Sequence, residues 1–105
     1  MADKDLLLTL LSRHIGEANG ITAEQITLAT GVPKRRVRTL VSELRLDGVA
    51  VCGHPRDGYY VAATSDEIER TCQFLRSRAL HSLTLESKLR RVPLPDLLGQ
   101  LHLKT

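Results

Sequence analysis

Thr30-Gly31-Val32-Pro33-Lys34-Arg35-Arg36-Val37-Arg38-Thr39-Leu40-Val41-Ser42-Glu43-Leu44 is the stretch on which the fold turns. Gly31 suits the left-handed residue that closes one helix, and Pro33 suits the first position of the next. From Pro33 to about Asp47, Val37, Leu40, Val41 and Leu44 recur at helical spacing. They form one apolar stripe and leave Lys34, Arg35, Arg38, Thr39, Ser42 and Arg45 outside it. Gly48 stops this third helix.

Upstream, Thr22 reads as an N-cap with Gln25 as its capping-box partner, opening a second helix that reaches Ala29. Leu6, Leu7, Leu10, Leu11 and Ile15 predict a first helix from about Asp3 to Ile15, with Gly16 and Gly20 bracketing its exit. Ile21 follows as a one-residue bridge. Downstream, Val49 and Val51 alternate with Ala50 and Cys52, and Tyr59 and Val61 with Tyr60 and Ala62. The stretch between these runs ends in Asp57-Gly58, a turn pair, so the whole reads as a β-hairpin. Tyr59 and Val61 are expected to face the third helix and Tyr60 the other side, where it either touches a ligand or covers the edge.

Thr64 and Glu67 form a second capping box, opening a fourth helix from Ser65 to about Arg91. Ile68, Cys72, Leu75 and Ala79 share its stripe, roughly extended by Leu83 and Leu89. Such a stripe can pack on the first helix, pair with a second copy, or do both. The acids at its start and the cations at its end need no functional reading, because both suit the helix dipole. Pro93 and Pro95 end the helix, and Leu94, Leu97, Leu98, Leu101 and Leu103 form an apolar tail. The expected architecture is mainly α with a small β-hairpin. Its segments are residues 1–63, a long helix over 64–92 and a Leu-rich tail over 93–105.

Composition agrees with a helical core. Of 105 residues, 42% are hydrophobic but only 3% aromatic, so Leu, Ile, Val and Ala must fill the interior. The formal charge is +3 and the sequence pI about 9.2. The distribution matters more than the sum: Lys34, Arg35, Arg36 and Arg38 put four cations into five residues. Such a block is either a solvated helix face or a nucleic-acid footprint. Cys52 and Cys72 lie far apart, as in a chain from a reducing compartment, and with scattered His14, His54, His81 and His102 they suggest no metal site. The Leu6–Leu11 run is too short for a signal peptide or membrane span, so a cytoplasmic protein is expected. With no nucleophile–base pattern and no glycine-rich phosphate loop, neither an enzyme nor a cofactor is expected.

The stretch from Glu24 to Leu44 resembles a helix-turn-helix, with Ile26, Val32, Val37 and Leu40 at its apolar positions and Gly31 in its turn. Thr27 departs from it, since the motif usually has Ala there. From Leu6 to Val61 the chain resembles the winged helix-turn-helix of biotin-repressor-type N-terminal domains. The carrying residues are Thr30-Gly31-Val32-Pro33, the helix exit Leu40-Val41-x-x-Leu44-x-x-x-Gly48-Val49, and Gly58-Tyr59. The remainder is similar to small phage-encoded winged-helix proteins through Leu75-Arg76-Ser77-Arg78-Ala79.

These resemblances imply a sequence-specific binder of double-stranded DNA, regulating transcription or phage replication in a bacterial or phage-infected cell. Because the binding core is nearly complete by Ala62, the stripe of the fourth helix points to a homodimer, the alternative being a monomer with a longer packed helix. Pro33, Lys34, Arg35, Arg38, Thr39 and Ser42 would face the major groove. Arg35 and Arg38 would reach bases, while Lys34, Thr22 and Ser42 would reach the backbone. His54 and Arg56 on the wing would reach the adjacent minor groove or phosphates, unless the hairpin is an ordinary surface one. Leu75, Ala79 and Leu83 would carry dimerisation. The competing expectation is an adaptor whose Leu94–Leu103 tail docks on a protein partner.

Overall fold

The computed structural model describes residues 2–101. The chain is mainly α, with one antiparallel hairpin and one long helix, and it divides into two compact units meeting after Thr71. The first unit holds α1 (Asp3–Leu11), a 3-10 turn (Glu17–Asn19), α2 (Ala23–Thr30), α3 (Lys34–Leu46), β1 (Val51–His54) and β2 (Gly58–Val61). It also holds the first turns of α4 (Ser65–Arg90); the rest of α4 and α5 (Leu94–Gln100) form the second.

The expected stripe of α3 is its core face: Val37, Leu40, Val41 and Leu44 are all buried. They meet Leu7 and Leu11 of α1, Ile26 of α2, and Val51 and Tyr59 of the hairpin in one cluster. Both helix starts marked by capping boxes are confirmed. Thr22 Oγ1 accepts from Gln25 N at 3.1 Å while Gln25 Oε1 accepts from Thr22 N at 2.9 Å. Thr64 Oγ1 accepts from Glu67 N at 3.2 Å and Glu67 Oε1 accepts from Thr64 N at 3.1 Å. Gly31 closes α2 in the left-handed conformation, with φ 78°. Thr27, the departure from the motif, carries a buried hydroxyl with no hydrogen-bond partner among the described residues.

Several local expectations are corrected. α1 ends at Leu11 rather than Ile15, because the chain must turn there to reach the sheet: His14 O accepts from Val61 N at 2.8 Å, and Ile15 bridges Val61. Pro33 is the extended N-cap of α3, not its first helical residue. The hairpin turns through Pro55, Arg56 and Asp57, and Gly58 is already paired with His54. Tyr60 is buried, with only 6% of it exposed, which fits a residue covering the edge rather than one reaching a ligand. That burial pushes its phenol above the usual tyrosine range.

Two strands alone are marginal in water, and here both long sides of the hairpin are occupied. On the β2 side, Tyr59 exchanges both backbone bonds with Ile21 (2.7 and 2.8 Å), and Val61 O accepts from Gly16 N at 2.9 Å. On the β1 side, Arg45 of α3 donates from Nε to Val51 O (2.8 Å) and from Nη2 to Gly53 O (3.1 Å). Gly53 N donates to Thr71 Oγ1 of α4 at 3.2 Å. Glu67 fastens the start of α4 further. Its buried carboxylate accepts from Ala63 N (2.7 Å) and Glu17 N (2.8 Å) as well as Thr64 N.

In the second unit α4 ends on a left-handed Arg91 (φ 56°), with Val92 N donating to Ser87 O and Arg91 N to Lys88 O. This is the paired closure usually built on glycine. Pro93 caps α5, whose Leu97 and Leu98 are buried. Two leucines of the expected docking tail are therefore already covered; Leu101 stays exposed, and Leu103 and His102 lie outside the described residues.

Candidate nucleic-acid interface

Helix N-termini carry a partial positive charge, so acids stabilise them and cations do not. α1, α2, α4 and α5 follow the rule, with Asp3 and Asp5, Glu24, Asp66 and Glu67, and Asp96 in their first turns. α3 breaks it. Its first turn holds no acid and begins Lys34-Arg35-Arg36. These cations oppose the dipole and one another, so helix stability does not explain their placement.

The apolar stripe fixes where they point. With Val37, Leu40, Val41 and Leu44 held in the core, Lys34, Arg35, Arg36, Arg38, Thr39 and Ser42 all lie exposed, as does Pro33. Arg36 is engaged by Asp3 of α1 at 3.3 Å. Among the described residues no carboxylate pairs with Lys34, Arg35, Arg38 or Arg56. Thr39 Oγ1 turns back to Arg35 O in a long 3.4 Å bond.

The hairpin loop brings a further cation to α3. Pro55 O accepts from Ala23 N at 3.0 Å, tying the loop to the start of α2. Thr22, Ala23, Glu24, Lys34, Arg38, Pro55 and Arg56 thereby line one open groove of about 320 Å³. Four of the nine residues expected at the interface, Thr22, Lys34, Arg38 and Arg56, share this concavity, and Glu24 contributes the one carboxylate. Thr22 already serves as a cap through its oxygen, which leaves its hydroxyl proton to offer.

His54 is not part of that assembly. Its Nδ1 lies 2.9 Å from Asp57 Oδ2, and it lines a different cleft of about 150 Å³ with Glu17, Tyr60, Arg70 and Thr71. Sequence reasoning missed the structural use of Arg45, whose place one residue past Leu44, at the border of the stripe, was the available signal. It also missed Thr71, for which the sequence carries no signal. On α4, Leu75 and Ala79 are exposed and Leu83 is half-buried. No cluster of three or more His, Cys, Asp or Glu side chains suited to a metal occurs among the described residues, and no described helix is long and apolar enough to cross a membrane.

No family model matches the sequence, and no curated protein or solved structure matches it either.

Proposed function

We propose that this chain is a winged helix-turn-helix protein that binds double-stranded DNA in a sequence-specific way. In this reading α3 is the recognition helix, the β1–β2 hairpin is the wing, and residues 1–63 carry the binding surface. The observation that carries the proposal is the start of α3. It holds exposed cations that work against helix stability, and one of them, Lys34, lines one groove with Arg38 of the next turn and Arg56 of the hairpin loop. A polyanion repays that arrangement, since each phosphate neutralised releases counterions. Arg35 and Arg38 would read base edges, with Arg as the side chain suited to guanine. Lys34, Arg56, Thr22 and Ser42 would hold the backbone. His54, turned to Asp57, is the weakest member of the set.

The protein would act as a homodimer through the exposed side of α4 near Leu75, Ala79 and Leu83, regulating transcription or phage replication in the cytoplasm of a bacterial or phage-infected cell. The competing adaptor reading has lost part of its motivation, because Leu97 and Leu98 are covered within the chain.

Fluorescence anisotropy with duplexes selected from a random pool tests the proposal. The binding constant is expected to fall steeply with salt, with a log–log slope of roughly −3 or steeper per subunit. Arg38→Ala should cost about 1–3 kcal/mol and relax one base position. Undetectable binding, or binding indifferent to salt, would refute it. Sedimentation equilibrium of the free protein checks the dimer, which a purely monomeric result excludes.

A further inference from the structure

Gly53 lies in the middle of β1 with φ 83°, a conformation costly for residues with a Cβ. Both its backbone polar groups leave the strand ladder. Its carbonyl accepts from Arg45 Nη2 of α3 (3.1 Å) and its N–H donates to Thr71 Oγ1 of α4 (3.2 Å). Thr71 is 9% exposed, so this bond is sheltered from water. The loop that starts two residues later carries Arg56 and is anchored at its near end by Pro55 O on Ala23 N. One residue of the hairpin is thus gripped from two sides, by the helix bearing the cations and by the long helix that follows.

From this geometry we infer that Thr71 is a positioning residue for the hairpin: with Arg45 it holds β1 at the angle that brings Arg56 to the groove shared with Lys34 and Arg38. The inference rests on the DNA-binding reading for its functional meaning, but not for its structural content. Thr71 does not line the groove; it acts through Gly53. It follows that α4 is a control element of the binding surface. Whatever displaces its first turns takes the acceptor away from Gly53 and loosens the wing while leaving α3 in place. Arg45, which can pivot on its flexible stem, and the Pro55 anchor then hold the β1 side.

The test uses the full chain and four substitutions, two of them at Thr71. Thr71→Val keeps the shape and removes the acceptor; Thr71→Ser keeps the acceptor and controls for folding. Amide hydrogen exchange of the free protein comes first. Gly53 N–H should exchange roughly fivefold faster in Thr71→Val, the factor expected from one ordinary hydrogen bond, and at the native rate in Thr71→Ser. Duplex binding is then measured with and without Arg56→Ala. In the native background Arg56→Ala should weaken binding several-fold, whereas beside Thr71→Val it should cost less than about twofold, because a loosened wing has little left to lose. Arg38→Ala should cost the same in both backgrounds. Unchanged Gly53 exchange in Thr71→Val overturns the inference, as does an Arg56→Ala effect that is the same in both backgrounds. Faster exchange in a protein that binds no duplex would remove the DNA reading and leave the junction standing.

Discussion

Replacing Gly53 of β1 with alanine should damage the protein more than the same change at any other described glycine, and the structure says by how much. At φ 83° an L-residue costs about 1–2 kcal/mol. The added Cβ would also overlap the carbonyl oxygen of Gly58 on the paired strand and sit 3.1 Å from Tyr60 Cε1. The obstacle is backbone, so no side-chain rotation relieves it and β1 must move. That movement breaks the bonds to Arg45 and Thr71, each worth about 1 kcal/mol net. The expected loss is therefore about 3–4 kcal/mol. Gly31→Ala is the matched control. Gly31 has a similar φ of 78° but nothing within 4 Å of its Cβ position, so only the conformational part, about 1–2 kcal/mol, should appear. Urea unfolding followed by circular dichroism compares the two within the same unit. Thermal midpoints should separate by roughly 10 °C, since each kcal/mol moves a domain of this size by about 4–8 °C. If the two variants agree to within about 0.5 kcal/mol, the close approach of the strands at Gly53 is not what excludes a side chain there.

Two further predictions concern the helices. Thr27→Ala should stabilise the protein by about 1 kcal/mol in urea unfolding, because it removes a buried hydroxyl without a partner and improves helix propensity; a destabilised variant would mean that the hydroxyl does useful bonding. Glu67 is held below the usual carboxylate range by the backbone N–H groups of Glu17, Ala63 and Thr64. A lowered folded value means that the carboxylate's contribution is present above the unfolded value, near 4.5, and fades as pH falls through the folded one. The drop in thermal midpoint caused by Glu67→Gln should accordingly be large at neutral pH and shrink below that range. A drop independent of pH would contradict this account.

Where a signal was local, the sequence carried it. Both capping boxes, the left-handed Gly31 and the stripe of α3 follow from spacings of three or four residues, and these are the positions where expectation and structure coincide. The misses share a different cause. Ile15 continues the apolar period of α1, yet a hydrogen bond to Val61, 47 residues away along the chain from His14, draws the chain out of the helix. Alternation put Tyr60 on the face opposite Tyr59, but could not tell that this face would also be buried. At the turn, Asp57-Gly58 read as the turn signal, but Gly58 is already in the strand, and Gly53, with its left-handed backbone, carried no pattern of its own. The cations of α3 were legible as a block. That only one of the two hairpin residues joins them, Arg56 and not His54, depended on where Pro55 is anchored.

A two-stranded ribbon ordinarily presents two rows of main-chain groups to any extended polypeptide that passes. Here Ile21 and the residues around Gly16 take one row, and Arg45 with Thr71 takes the other. An incoming peptide therefore finds no template for strand addition, the route by which small sheets capture ligands or seed fibrils. Any ligand of this hairpin would have to be met by side chains rather than by its main chain. The same arrangement makes the ribbon conditional, since it survives only while the helices that complete its bonding are folded.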